Sequence, residues 1–298
     1  MIASIIDQLL EEDVDDFVFI IGYFGEKIKN FVEESYPDLK TTFVHQEVRM
    51  GLGHAMHIAS EAYKDAEEVL IVLGDTIFYS DLKNIIRSPY SCLGIKKVAD
   101  PREFGVVELD EENFIQKVVE KPKIPKSNLA IVGLYKISEV SELIRSLNYI
   151  MDNNIKTKDE FHLTDALMNM VGNGVKITVS EIENWYDCGK KEVLLATNEV
   201  LLKRLKNNSP VEGLENSIIV PPVSIGKGCV IKNSIIGPNV CIGENSNLNY
   251  ANIRDSIIGS FANIDGVVLQ ESIIGSDASV KGLSLSLNIG ENTEIDFS

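Results

Sequence analysis

Near its C-terminal end the chain repeats one tetrad four times: SIIV at 217–220, then SIIG at 234–237, 256–259 and 272–275, at steps of 17, 22 and 16 residues. Around these lie IGKGCV, IGPNVC, IGENSN, IGSFAN, IGSDAS and IGENTE. An apolar residue, a glycine, and a small or apolar residue three places on form a hexapeptide pattern. It predicts a triangular coil of short parallel strands, with isoleucines stacked inside and glycines turning the corners. Steps near 17 predict trimmed corners, and the step of 22 predicts one bulged loop. A β-sandwich with repeated turns would have no reason to repeat the tetrad itself.

Upstream the grammar differs. From Ile2 to about Lys206, apolar strand runs alternate with amphipathic helices. The opening stretch MIASIIDQLL has Ile2, Ile5, Ile6, Leu9 and Leu10 at helical spacing, and FVFII, TTFVH and EVLIVLGD each lead toward a helical segment. This alternation predicts a mostly parallel sheet with helices on both faces. The middle, with FGVVEL, FIQKVVE and LAIVGLYKI, reads as richer in strands. Two domains follow, 1–208 and 209–298, an organisation that suits a chain of 298 residues.

Several functions are disfavoured by composition. The formal net charge of −17 argues against a nucleic-acid backbone binder, which needs a basic stripe. Cys92, Cys188, Cys229 and Cys241 form no CxxC pair, so neither a zinc site nor a disulfide framework is indicated. With no leader-like segment and no long apolar run, the expectation is a cytoplasmic protein without membrane partners. All four histidines precede the repeats, which contain just Tyr250, Phe261 and Phe297 as aromatics. A coenzyme-dependent acyltransferase needs a histidine base there, so the coil reads as a packing or oligomerising module, and a homo-oligomer is expected.

Ligands of open α/β sheets bind beyond the carboxyl ends of strands, which singles out three places. In VLGDT, Asp75 follows an apolar strand, and in NWYDCG, Asp187 follows the chain's one tryptophan by two residues. Each aspartate alone is as readily a turn residue, but two converging on one Mg²⁺ would explain both. In VVEKPK, Lys121 stands before the stiffening Pro122. Its ammonium could meet a phosphate while Glu120 accepts sugar hydroxyls, although a solvated charged turn has the same composition. The segment HQEVRMGLGHA opens a helix with two glycines but matches no dinucleotide or Walker-type fingerprint. His54 and His57 lack a third ligand, and one is expected to pack while the other faces solvent. No nucleophile stands beside a base, so covalent catalysis has no support.

Taken in order, GLGHA, LGDT, FGVVEL, VEKPK, LAIVGLY, EFHLTDAL and WYDCGK, followed by a hexapeptide coil, resemble the sugar-1-phosphate nucleotidylyltransferases. The long, solenoid-tailed forms similar to glucose-1-phosphate thymidylyltransferases are the nearest in look. The resemblance covers nearly the whole chain. It implies a Rossmann-like mixed sheet followed by a left-handed parallel β-helix. It also implies a reaction between a nucleoside triphosphate and a sugar 1-phosphate, in which a sugar-phosphate oxygen attacks the α-phosphorus in line and pyrophosphate leaves. Glucose 1-phosphate with dTTP or UTP is the expected pair. By the same resemblance Asp75 and Asp187 hold Mg²⁺ and Lys121 holds the sugar phosphate. Glu120 and the Gly105 backbone meet the sugar, Gln46 and the Gly51 backbone read the base, and Lys158 faces phosphate. Thr76 stands where asparagine is more usual.

The start departs from the family's pattern, which begins with a strand and a glycine-rich loop carrying an arginine and a lysine. This chain has no glycine before Gly22, no arginine before Arg49 and no lysine before Lys27. The expectations are an N-terminally truncated sheet, impaired turnover, and an interruption between the FVFII and VLIVLG strands. A non-catalytic nucleotide-sugar-binding or assembly subunit is the alternative.

Overall fold

The computed structural model describes residues 2–79, 82–204 and 213–282. Two compact units are present, Met1–Asp187 and Cys188–Ser298. The boundary expected at 208/209, the hexapeptide IGENTE and Phe297 lie outside the described residues.

The first unit runs α1 (Ile2–Leu10), β1 (Asp16–Ile21), α2 (Gly25–Ser35), β2 (Lys40–His45), α3 (Leu52–Ile58), α4 (Ser60–Tyr63), β3 (Val69–Val72) and β4 (Thr76–Tyr79). It continues with α5 (Lys83–Ile86), β5 (Ser91–Lys97), β6 (Gly105–Leu109), β7 (Ile115–Glu120) and β8 (Leu129–Ile137). Then come α6 (Val140–Asp152), α7 (Leu163–Gly172), β9 (Ile177–Glu181) and β10 (Asn184–Asp187). In α1 the apolar stripe is real: Ile5, Ile6 and Leu9 are buried. Helix α6 is an addition to the sequence reading; its Leu143, Leu147 and Ile150 are fully buried. At roughly 1.5–3 kcal/mol for each such side chain, this stripe outweighs the helix's modest propensity.

The nine-residue β8 organises the main sheet. Strand β5 lies along one side of it, and β6 and β3 share the other, β6 beside its first half and β3 beside its second. Gly133 marks the change of partner. Its φ of +77° is open to glycine, and a Cβ there would come within 2.9 Å of the Leu73 side chain. Strands β3, β5 and β9 are antiparallel to β8 or parallel to one another, so the sheet is mixed.

Alternating strand residues feed two apolar layers. Ile71, Leu93 and Tyr135 face α3, α4, α6 and α7, whereas Leu70, Cys92 and Leu134 face α1, α2 and α5. Strands β1 and β2 pair in parallel as a separate two-stranded piece. Among the described residues β1 bonds only to β2, and β3 only to β8, so the expected interruption between them is found. Their side chains nevertheless continue the same layers, Phe17 and Phe19 with Leu70 and Val72, and Val18 and Ile20 with Val69 and Ile71.

The second unit begins with α8 (Lys191–Arg204), whose Asn198 amide donates to Asn239 O at 3.2 Å. The rest is the expected left-handed parallel β-helix, three parallel sheets with Ile231, Ile236, Ile242, Ile253, Ile258 and Ile264 inside. Two expectations about it need correction. The 22-residue step is no bulge. Ile218 pairs with Ile235 on one side of the coil, but Ile257 pairs with Cys241 and Ile273 on the next, so the tetrad changes sides between its second and third copies. Most corners are also turned without glycine. Asn233, Asn239, Asn245, Asp255 and Asp277 take positive φ, helped by an amide ladder through Asn216, Asn233, Asn249 and Asp265. Gly226, Gly243 and Gly259 instead permit coil stacking, since a Cβ on each would lie 2.4 Å from a backbone nitrogen of the next coil.

Candidate active site

The sequence-selected residues fall into three groups on the first unit, and backbone pairing joins them. Asp75 follows β3 by three residues, and the short antiparallel ladder of β4 and β10 sets Asp187 directly opposite Thr76. Two carboxylates separated by more than a hundred residues of chain are thereby brought to one end of one ladder. Among the described residues no group of three or more His, Cys, Asp or Glu side chains could hold a metal by itself. A pair of strand-end carboxylates fits a hard cation that takes its remaining ligands from phosphate and water.

The second group sits at the open end of the β6–β7 hairpin. Gly105 is the register partner of Glu120, and the Lys121 N–H donates to Phe104 O at 2.9 Å. A side chain at Gly105 would crowd Glu120 Oε2 at 3.3 Å and Thr164 Cγ2 at 3.2 Å, so glycine keeps the carboxylate accessible. The Thr164 hydroxyl donates to Glu120 Oε2 at 3.2 Å, and His162 Nδ1 lies 3.8 Å from Oε1. Lys121 has φ of +44° and Lys158 +53°, uncommon backbone for lysine. Lys158 Nζ donates to Lys121 O at 3.2 Å, so the Lys158 ammonium is held against the backbone at Lys121. Asp165, one turn further, has its carboxyl pushed up by burial, with Oδ2 buried and unpartnered.

The third group lies beyond β2. Gln46 Nε2 stands 3.3 Å from Gly51 O and 2.9 Å from His54 Nδ1. A carbonyl oxygen can only accept, which fixes the amide's orientation and leaves Gln46 Oε1 as a presented acceptor. His54 is buried, and burial together with neighbouring His57 holds its imidazole below the usual value. It therefore remains neutral and accepts from Gln46. His57 is half-buried rather than facing solvent, which corrects the sequence expectation.

These groups are stitched together. Phe161 N–H donates to Met50 O and Gly53 N–H donates to Phe161 O, both at 2.8 Å, tying the Gln46–Gly51 loop to the turn that carries Lys158 and His162. Phe104 meets Trp185 edge-on with ring centroids 4.9 Å apart, linking the Gly105–Lys121 group to the β10 strand of Asp187. Sequence reasoning missed Thr164 and the hold of His54 on Gln46. The first is an ordinary N-terminal helix threonine, and the second has no signal outside tertiary packing.

A family model described as nucleotidyl transferase matches residues 1–204. The chain belongs to the nucleotidyl transferase family. Among relatives, the bifunctional protein GlmU of Methanocaldococcus jannaschii is 32% identical over 228 residues, covering 75% of this chain and 52% of its own. The chain thus spans about half the length of that relative. A glucose-1-phosphate thymidylyltransferase of Streptomyces antibioticus is 28% identical over 268 residues, covering 86% of this chain and 71% of its own. A crystal structure of a glucose-1-phosphate thymidylyltransferase, described as putative, from Bacillus anthracis superposes with a TM-score of 0.57 at 23% identity, over 70% of this chain and 84% of that one. That likeness supports the fold. No helix among the described residues is long and apolar enough to cross a membrane.

Proposed function

We propose that this family member is a cytoplasmic, Mg²⁺-dependent sugar-1-phosphate nucleotidylyltransferase, joining a nucleoside triphosphate to a sugar 1-phosphate and releasing pyrophosphate. One observation carries the reading. The Met50–Phe161–Gly53 hydrogen bonds support one rim, in which the Gln46–Gly51 loop adjoins the turn of Lys158, whose ammonium reaches the Lys121 carbonyl beside Glu120. Such a rim suits two substrates bound side by side.

Lys121 and Lys158 neutralise the sugar phosphate, and Glu120, oriented by Thr164, accepts hydrogen bonds from sugar hydroxyls. Gln46 Oε1 accepts from a ring N–H of the base. Uracil, thymine and guanine offer such a donor at the pairing edge, and adenine and cytosine do not, which favours UTP or dTTP as the resemblance implies. A phosphate oxygen of the sugar 1-phosphate forms the new bond to the α-phosphorus as the bond to the pyrophosphate oxygen breaks, with no covalent enzyme species. Asp75 and Asp187 would hold Mg²⁺, which supplies positive charge to the phosphates. The chain's own part is alignment and charge neutralisation.

The test is pyrophosphate release with glucose 1-phosphate and UTP or dTTP, run beside calorimetric binding of each substrate. Release that needs both substrates, and that Lys121→Met abolishes together with sugar-phosphate binding, is the expected result. Binding of both without release favours the non-catalytic subunit, and binding of neither overturns the reading.

A further inference from the structure

A cavity of about 610 Å³ opens at the carboxyl ends of β1 and β2, lined by Tyr23, Phe24, Lys27, His45, Gln46 and Arg49 among others. Two large aromatics stand at its mouth in water: Tyr23 is 72% exposed and Phe24 58%. Their ring centroids are 4.2 Å apart. Exposed rings side by side cost hydration free energy, so a pair of them on a surface calls for a reason.

Backbone strain repeats that demand. Phe24, at the N-cap of α2, has φ of +61° and ψ of +18°, a left-handed conformation that is an outlier for a bulky residue. Such residues persist where the surrounding structure imposes them, and they gather at ligand sites. Cations flank both rings. The Arg49 guanidinium carbon lies 5.9 Å from the Tyr23 centroid, and Lys27 Nζ lies 5.2 Å from that of Phe24. The two rings are tilted 46° to each other, and an exposed aromatic face with cations beside it fits a planar ring that carries phosphates. The same cavity contains Gln46, whose Oε1 is the presented acceptor described above.

We propose that Tyr23 and Arg49 form the stacking wall for the nucleotide base, with Gln46 reading its edge. This rests on the base-reading role proposed for Gln46 and adds to it the surface that receives the base's face. Tyr23 and Arg49 are thus specificity-determining residues, and they act on nucleotide binding rather than on the sugar.

Equilibrium binding to the full chain tests it, with UTP, inorganic triphosphate and glucose 1-phosphate as probes. Tyr23→Ala should weaken UTP roughly tenfold, the scale of one base–aromatic stack. Tyr23→Phe should stay within about twofold, since the ring and not the hydroxyl carries the contact. Inorganic triphosphate and glucose 1-phosphate should bind all three proteins alike, which separates stacking from misfolding. Uracil H5 and H6 should move upfield by NMR in the parent and in Tyr23→Phe, and lose that shift in Tyr23→Ala. If Tyr23→Ala binds UTP as the parent does while Gln46→Ala does not, the wall is wrong and the edge reading stands. If Gln46→Ala is silent and Tyr23→Ala weakens UTP, the wall stands and the edge reading falls. A parent that binds no UTP overturns both.

Discussion

Gly51→Ala is the most informative single substitution, because the structure fixes both why it should hurt and how much. Gly51 has φ of +101° and ψ of 172°, a region essentially confined to glycine. A Cβ built on it would stand 2.4 Å from Phe161 O and 3.1 Å from the Phe161 carbonyl carbon. Both are backbone atoms, so no side chain can swing aside. Relief requires the loop to retreat, and that breaks the Phe161 N–H to Met50 O and Gly53 N–H to Phe161 O hydrogen bonds. Two bonds at about 1 kcal/mol each, plus at least about 1 kcal/mol of backbone strain, give about 3 kcal/mol. For a unit of this size the melting temperature should fall by roughly 6–12 °C. Trp185, the chain's one tryptophan, lies in the first unit and reports its unfolding by fluorescence. Well below the melting point, affinities for nucleotide and sugar 1-phosphate should both drop, because the broken bonds join the two halves of the rim. Gly74→Ala serves as the control, having open space around its Cβ and no unusual φ, and should change stability by less than about 0.5 kcal/mol. A Gly51→Ala protein that melts within about 2 °C of the parent and binds both substrates normally would refute the stitching argument.

Three further outcomes are expected. Because the folded-state pKa of His54 is held below 6.5, its contribution to stability is fully present above pH 6.5 and is lost as pH falls below it. Protonated Nδ1 also becomes a donor facing Gln46 Nε2, so UTP affinity should fall as the pH drops below 6.5 in the parent and stay flatter in His54→Asn; identical titrations would sink the idea. Asp165 shows the opposite sign: its raised pKa gives stability present below 3.8 and lost as pH rises through the folded value. Asp165→Asn should therefore stabilise the first unit near pH 7 relative to the parent and lose that advantage at pH 3.5, as followed by urea denaturation. Phe24→Gly should raise stability by about 0.5–1 kcal/mol, the relief of left-handed strain less glycine's added chain entropy, while weakening UTP binding; a lower melting point would contradict it.

Much of this protein is local and was legible as such. The 3.6-residue spacing of Ile2, Ile5, Ile6 and Leu9 determined α1, and the hexapeptide glycines and isoleucines determined the coil. The places where strands stop before Asp75, Lys121 and Gln46 are also written in short stretches of sequence. Side-chain period and turn chemistry act over a few residues, so a chain read by itself displays them. Other features depend on partners far along the chain. The ladder that sets Asp187 opposite Thr76, the change of partner at Gly133, and the two coil sides shared by the repeated tetrad are choices among several compatible pairings. The neutral His54 behind Gln46 and the Phe161 carbonyl above Gly51 depend on burial, which no short stretch encodes. The sequence determined which residues had chemistry to offer. The tertiary structure decided which of them meet, because long-range pairing and desolvation are properties of the whole packed chain.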